Sequence, residues 1–191
     1  MQIIKNKNVR RIVRVIVENV KILLVSLAII IPVRYFLIQP FYVKGASMEP
    51  NFHNREYLIV NEIGYRFDNP KRGDVIVFKY PLDKKQYFIK RVIGLPNERI
   101  VIDNSAITVY NQNLSDDGIK LDERYLDINE KTTGDIDITL KDDEYFVLGD
   151  NRMHSLDSRV FGVLHEDLIV GKAWFRGWPF EQFGFLEDFE Y

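Results

Sequence analysis

The feature that most restricts this chain is a charge-free run over residues 22–33 (ILLVSLAIIIPV), held between Lys21 and Arg34. Twelve apolar residues are too few to cross a bilayer as a helix, which takes roughly 20. The long stems of Lys21 and Arg34 can carry their charges to the two interfaces, and residues 35–38 (YFLI) are apolar again, so a helix over residues 15–38 reaches spanning length. Pro32 predicts a kink or a loosened last turn near its end. Seven of the 26 Lys/Arg fall within residues 1–34, five of them between positions 5 and 14, against one acid, Glu18. That bias predicts a basic cytoplasmic tail over residues 1–14, a transmembrane anchor in the lipid bilayer over residues 15–38, and an extracytoplasmic body over residues 39–191. Two other readings compete, a cleaved secretory signal and a buried amphipathic helix; the first lacks a small-x-small exit, since Arg34-Tyr35-Phe36 follows the run.

After residue 34 the chain holds the other 19 Lys/Arg against 27 Asp/Glu. An acidic body has no general attraction for nucleic acid, so a nucleic-acid partner is excluded. An apolar share of 46% is enough for a sizeable core, and the absence of Cys removes disulfides, thiolate metal sites and a Cys nucleophile. No His/Asp/Glu spacing suggests a metal site, and nothing calls for a cofactor. Beyond Pro40 no helical periodicity is sustained; short strand-like runs recur instead, at residues 57–60, 74–78, 87–93, 99–103, 106–110, 136–140, 144–148 and 173–176. Turn residues separate them, as at Asn69-Pro70, Arg72-Gly73-Asp74 and Gly94-Leu95-Pro96-Asn97. The predicted fold is mainly β, an antiparallel sheet system or partial barrel behind one N-terminal transmembrane helix. Residues 111–135 are polar and irregular and read as a surface insertion.

Three segments could carry chemistry. Residues 45–50 (GASMEP) place Ser47 in a loop between Gly45 and Pro50; a serine hydroxyl needs a neighbouring base to become a nucleophile, and small neighbours let a substrate backbone approach. In residues 87–96 (YFIKRVIGLP) two cations interrupt an apolar strand. Alternation sends Lys90 and Arg91 to opposite faces, and a lysine turned inward is driven toward the neutral form that can act as a base. Residues 149–159 (GDNRMHSLDSR) follow an apolar strand with a polar loop that can supply a hydroxyl and an Asp–Arg pair. Each segment alone has an ordinary structural reading as a turn or an exposed edge.

Taken together and in order, these segments resemble the bacterial type I signal peptidases, Ser/Lys proteases that remove signal peptides from exported proteins. The pattern comprises the anchor, a serine box G-x-S-M-x-P at residues 45–50, a G-D-V-I-V-F strand at 73–78, a lysine box K-R-x-x-G-x-P at 90–96, and G-D-N-R-x-x-S-x-D-S-R at 149–159. The resemblance implies a membrane-bound serine endopeptidase with Ser47 as nucleophile and Lys90 as general base. Ser155 would orient the lysine, the Ser47 backbone N–H would donate to the oxyanion, and Asp157 with Arg159 would support the loop. Relatives prefer small residues at the first and third positions before the cut; Phe41, Val43, Met48, Phe88 and Ile89 would form the shallow substrate pockets, with extended substrate pairing near residues 41–44 and 87–90. The implied partners are signal peptides of secreted preproteins and the bilayer. Two departures stand out. Gly45 occupies a place where some relatives carry a second oxyanion-donating serine, which leaves its backbone as the alternative donor, and Met153-His154 is bulkier than usual. His154 is not expected to act as the base, because the lysine box is intact. Residues after Pro179, rich in Phe and acid, match nothing in the pattern.

Overall fold

A computed structural model describes residues 7–36, 38–111, 115–127, 130–189 and 191. The chain divides into two units, residues 1–38 and 39–191. The first is a single helix, α1 (Lys7–Phe36). The large apolar side chains of residues 22–31 are all exposed on it. Arg14, Glu18 and Lys21 interrupt its described surface, and among the described residues no helix is long and apolar enough to cross a membrane. Residues 1–6 of the expected cytoplasmic tail lie outside the described residues.

The second unit is built from β1 (Ile38–Tyr42), β2 (Tyr57–Asn61), β3 (Val75–Tyr80), β4 (Asp83–Gly94), β5 (Arg99–Asp103), β6 (Ala106–Asn111), β7 (Ser115–Lys120), β8 (Ile136–Thr139), β9 (Glu144–Leu148), β10 (Leu164–His165), β11 (Ile169–Trp178) and β12 (Gly184–Phe185), with a short helix α2 (Ser158–Phe161). The larger sheet runs β1-β2-β11-β3-β4-β9-β10, with β12 added to β11; the smaller runs β7-β6-β5-β8. Every pair whose register is described is antiparallel. The expected β class therefore holds, as an open sheet backed by a smaller one.

β9 shows how the two are joined. All five of its residues are buried. Alternation sends Phe146 and Leu148 into a cluster with Ile100, Ile102, Ile107 and Val109 of the small sheet. Tyr145 and Val147 enter a second cluster on the other face with Ile76, Phe78 and Val92. A strand covered on both faces reads as an unbroken apolar run, which is why residues 144–148 were legible. β5 has the other signature, with Ile100 and Ile102 buried between exposed Arg99 and Asp103.

Of the expected surface insertion at 111–135, residues 112–114 and 128–129 lie outside the described residues, and of the rest whose burial is described only Leu121 and Thr132 are buried. Its first part is β7, paired with β6. Its second part is a strap on the loop after β9. Glu123 Oε1 and Oε2 accept from Arg152 Nη2 and Nη1 at 2.5 and 3.0 Å, Tyr125 Oη accepts from Nη2 at 2.7 Å, and Thr132 Oγ1 takes Nη1. The Thr133 carbonyl accepts from Arg159 at 3.2 Å. The segment is polar because its partners are buried guanidiniums.

Candidate active site

The two cations of β4 end in opposite surroundings. β3 and β4 pair without a break from Lys79↔Tyr87 to Val75↔Arg91, which fixes the faces. Arg91 points away from the cleft, giving Nε and Nη2 to the two carboxylate oxygens of Asp150 at 2.9 and 2.7 Å and Nη1 to the Gly73 carbonyl at 2.9 Å. Its guanidinium lies 4.1 Å from the Tyr125 ring. Lys90 points into the cleft and is only 3% exposed. Among the described residues it forms no ion pair; Nζ lies 2.6 Å from Ser47 Oγ and donates to the Ile89 carbonyl at 2.9 Å. Burial pushes its ammonium down to about 8, and the charges of Asp157 and Asp150 oppose that fall.

Ser47 sits in the turn after β1, closed by Glu49 N–H donating to the Ala46 carbonyl at 3.2 Å and Phe52 N–H to Met48 at 2.9 Å. Met48 was expected at the substrate pocket. The structure corrects this: it is 1% exposed and packs among Val43, Phe52, Leu58, Val75 and Ala173. Its neighbour in a tight turn faces the cleft, so Met48 faces the core and roots the turn there.

The loop after β9 grips that turn from the other side. Asn151 gives its backbone N–H to the Ser47 carbonyl and Nδ2 to the Ala46 carbonyl, both at 3.1 Å. Gly149 comes so close that a Cβ there would lie 2.4 Å from the Ser47 carbonyl oxygen and 2.2 Å from Ser155 Oγ. Asp157 is fully buried, binds Arg159 through both oxygens at 2.9 Å and accepts from Gly149 N–H at 3.1 Å. Burial raises its pKa, but the Arg159 and Gly149 donors outweigh that and hold the carboxyl below its ordinary range. Asp157 also caps α2 by accepting from Arg159 N–H.

Two expected contacts are absent. Ser155 Oγ is buried but makes no hydrogen bond, to Lys90 or to any other described group; its nearness to Asp157 nonetheless helps keep that carboxyl low. Gly45 N–H, the alternative oxyanion donor, is taken by Asn54 Oδ1 at 3.1 Å. Gly45 has φ +104°, which glycine adopts without strain. Among the described residues no acceptor takes the Ser47 N–H.

Ser47 and Lys90 lie in a cleft of about 400 Å³ whose walls include Phe41, Val43, Phe88 and Ile89, four of the five expected pocket residues, together with Leu156 and the exposed His154. The β4–β9 ladder begins at Arg91, so the edge of β4 before it has no strand from β9 beside it. Asp150, Arg91 and Asn151 were not singled out in advance as site residues. The signal for the first two was a buried cation on a strand of opposite-facing neighbours, which must find a carboxylate; nothing local marks Asn151. The pairing of β9 and β10 also gathers Asp143, Glu144 and His165, with ligand atoms within 4.8 Å of one another, which sequence spacing does not reveal. Protein partners already satisfy them: Lys141 Nζ is 3.0 Å from Glu144, and His165 Nδ1 is 3.2 Å from Asp143.

Residues 16–178 match the family model described as signal peptidase, peptidase S26. Signal peptidase IB of Staphylococcus aureus (strain Mu50 / ATCC 700699) is 36% identical over 176 residues, covering 83% of this chain and 87% of the relative. Signal peptidase I of Bacillus caldolyticus is 38% identical over 174 residues, covering 84% and 91%. A crystal structure of a signal peptidase I from Enterococcus faecalis V583 superimposes with a TM-score of 0.46 at 31% identity, covering 55% of this chain and 97% of that one. Matches of this extent place the chain in a family of serine-protease hydrolases: it belongs to the bacterial type I signal peptidases.

Proposed function

We propose that this signal peptidase cleaves precursors by a Ser47–Lys90 dyad, a reading carried by the 2.6 Å approach of a buried, carboxylate-free amine to a hydroxyl in a cleft. Neutral Lys90 takes the Ser47 proton as Oγ attacks the scissile carbonyl, then delivers it to the leaving amine. The Ser47 N–H receives the oxyanion, and water completes turnover by hydrolysing the acyl-enzyme. Ser47 Oγ and the Ile89 carbonyl aim the lysine, the part expected of Ser155. Asp157 and Arg159 brace the loop behind it, without contact to the reacting atoms.

Phe41, Val43, Phe88 and Ile89 wall the cleft beside the nucleophile with bulky apolar groups, which suits shallow pockets for an Ala-x-Ala type site. Extended substrate adds to the open edge of β4 before Arg91 and to the chain near residues 41–44. The exposed apolar side chains of residues 22–31, the basic bias before them and the 12 residues between Arg34 and Ser47 support an anchor in the cell membrane, with the N-terminus cytoplasmic and residues 39–191 on the outer face. The substrates are then signal peptides emerging from that membrane.

The test is cleavage of an Ala-x-Ala precursor in detergent by wild type, Ser47→Ala and Lys90→Ala. Both variants are expected to lose activity while still folding, as cooperative melting of each shows. Normal processing by either would sink the dyad.

A further inference from the structure

We infer that Asn151 is a positioning residue that sets the direction of the oxyanion-binding N–H. The inference rests on the reading of Ser47 N–H as the oxyanion donor. That N–H belongs to the peptide joining Ala46 to Ser47, and the same rigid plane carries the Ala46 carbonyl, pointing the opposite way. Whatever holds the carbonyl aims the N–H.

Two donors hold it. One is intrinsic to the turn, Glu49 N–H at 3.2 Å. The other comes from the loop more than a hundred residues on, Asn151 Nδ2 at 3.1 Å. Asn151 also fixes the next peptide, its own N–H donating to the Ser47 carbonyl at 3.1 Å. Both carbonyls of the nucleophile turn are thereby bound to one residue on the far side of the cleft floor, and among the described residues no acceptor takes the Ser47 N–H.

The orientation of the Asn151 amide is itself determined. Its Oδ1 faces the backbone N–H of His154 at 3.2 Å, a group that can only donate, so the opposite atom facing the Ala46 carbonyl is the NH₂. His154 Nδ1 lies 3.2 Å from the same Oδ1. A donor on the Ala46 carbonyl also polarises that peptide, making its N–H a stronger donor at the moment an oxyanion forms.

Asn151→Asp isolates this role. The side chain keeps its shape and still accepts from His154 N–H, but an oxygen now faces the Ala46 carbonyl and the donor is gone. We expect kcat to fall about 10- to 100-fold, below the full loss of an oxyanion donor because the Glu49 N–H remains. KM stays at its wild-type value, since the substrate walls are untouched, while the added carboxylate, like Asp150 and Asp157, moves the pH midpoint upward, so kcat is compared on the high-pH plateau. Asn151→Ser, which keeps a short donor, should fall between Asp and wild type, and melting profiles check that both variants fold. Wild-type kcat in Asn151→Asp overturns the inference. So does a loss expressed in KM or one that vanishes on the high-pH plateau, which would place the effect on substrate or on Lys90. Ser47→Ala and Lys90→Ala run in the same assay test the dyad itself, so failure of the dyad and failure of the Asn151 role give different patterns.

Discussion

Replacing Lys90 by Met removes a buried amine while keeping an apolar chain of similar length, and the consequence for stability depends on pH. In the folded protein burial lowers this lysine to about 8, against 10.5 for an ordinary lysine. The unfolded chain therefore binds the proton more tightly than the folded one. Below pH 8 the fold must carry an ammonium where one is disfavoured, and stability recovers as pH rises from 8 toward 10.5. The gap corresponds to about 3 kcal/mol of destabilisation at pH 7, falling to about 1 kcal/mol at pH 10. Against the gain from removing it stand the hydrogen bonds from Nζ to Ser47 and to the Ile89 carbonyl, about 1 kcal/mol each. Lys90→Met should be more stable than wild type at pH 7 by about 1 kcal/mol and less stable at pH 10 by about the same. The swing of about 2 kcal/mol, or about 4 to 8 °C in melting temperature for a chain of this size, does not depend on the worth assigned to the hydrogen bonds. Denaturation of both proteins in detergent at pH 7, 8.5 and 10 measures it. A difference that stays constant with pH, or a Met advantage that grows with pH, would refute a depressed Lys90.

Two further outcomes follow from the same geometry. With Lys90 near 8, the neutral fraction rises from about a tenth at pH 7 to about nine-tenths at pH 9, so kcat/KM for a precursor peptide should increase about tenfold over that range; a flat profile excludes Lys90 as the base. Gly149→Ala would put a methyl carbon 2.4 Å from the Ser47 carbonyl oxygen, a backbone atom held by Asn151, so the nucleophile turn must move off Lys90. Turnover should fall at least about 100-fold with a destabilisation of about 1–3 kcal/mol by chemical denaturation, and Gly149→Ala/Ser155→Ala should not restore it; wild-type turnover in either would show that the turn yields freely.

How much of this was legible in the sequence depended on whether a signal was local. β5 and β9 announced themselves through alternation and through an unbroken apolar run. β4 begins at Asp83, four residues before its apolar stretch; Lys84, Lys85 and Gln86 lie in the register shift between Tyr80↔Asp83 and Lys79↔Tyr87, with exposed side chains and no burial pattern to mark them. β7, Ser115–Lys120, has neither signature and forms by pairing with β6. The Ser47–Lys90 contact was legible only by resemblance, since 43 residues of separation carry no geometry. Nothing local in the sequence shows that the turn sends Ser47 to the cleft and its neighbour Met48 to the core. Polarity alone does not show that Glu123, Tyr125 and Thr132, within an otherwise largely exposed segment, bind Arg152, itself 1% exposed.

The pair Lys90-Arg91 shows why the register of one strand decides the chemistry. Both side chains are buried cations on consecutive residues, and what separates them is the partner each face supplies. Asp150 meets Arg91 through two hydrogen bonds, so the guanidinium stays charged and joins β4 to the loop after β9. Among the described residues no carboxylate bonds Lys90, so its amine can shed a proton near neutral pH. A slip of one residue would turn Arg91 toward Ser47, with a group that does not deprotonate in proteins, and would set Lys90 against Asp150, where an ammonium is stabilised. Both changes abolish a base. The unbroken β3–β4 ladder beneath the dyad, with Ile76 opposite Lys90, is therefore as necessary to the proposed reaction as the amine, and its buried residues Val75, Ile76 and Val77 hold that register through the core.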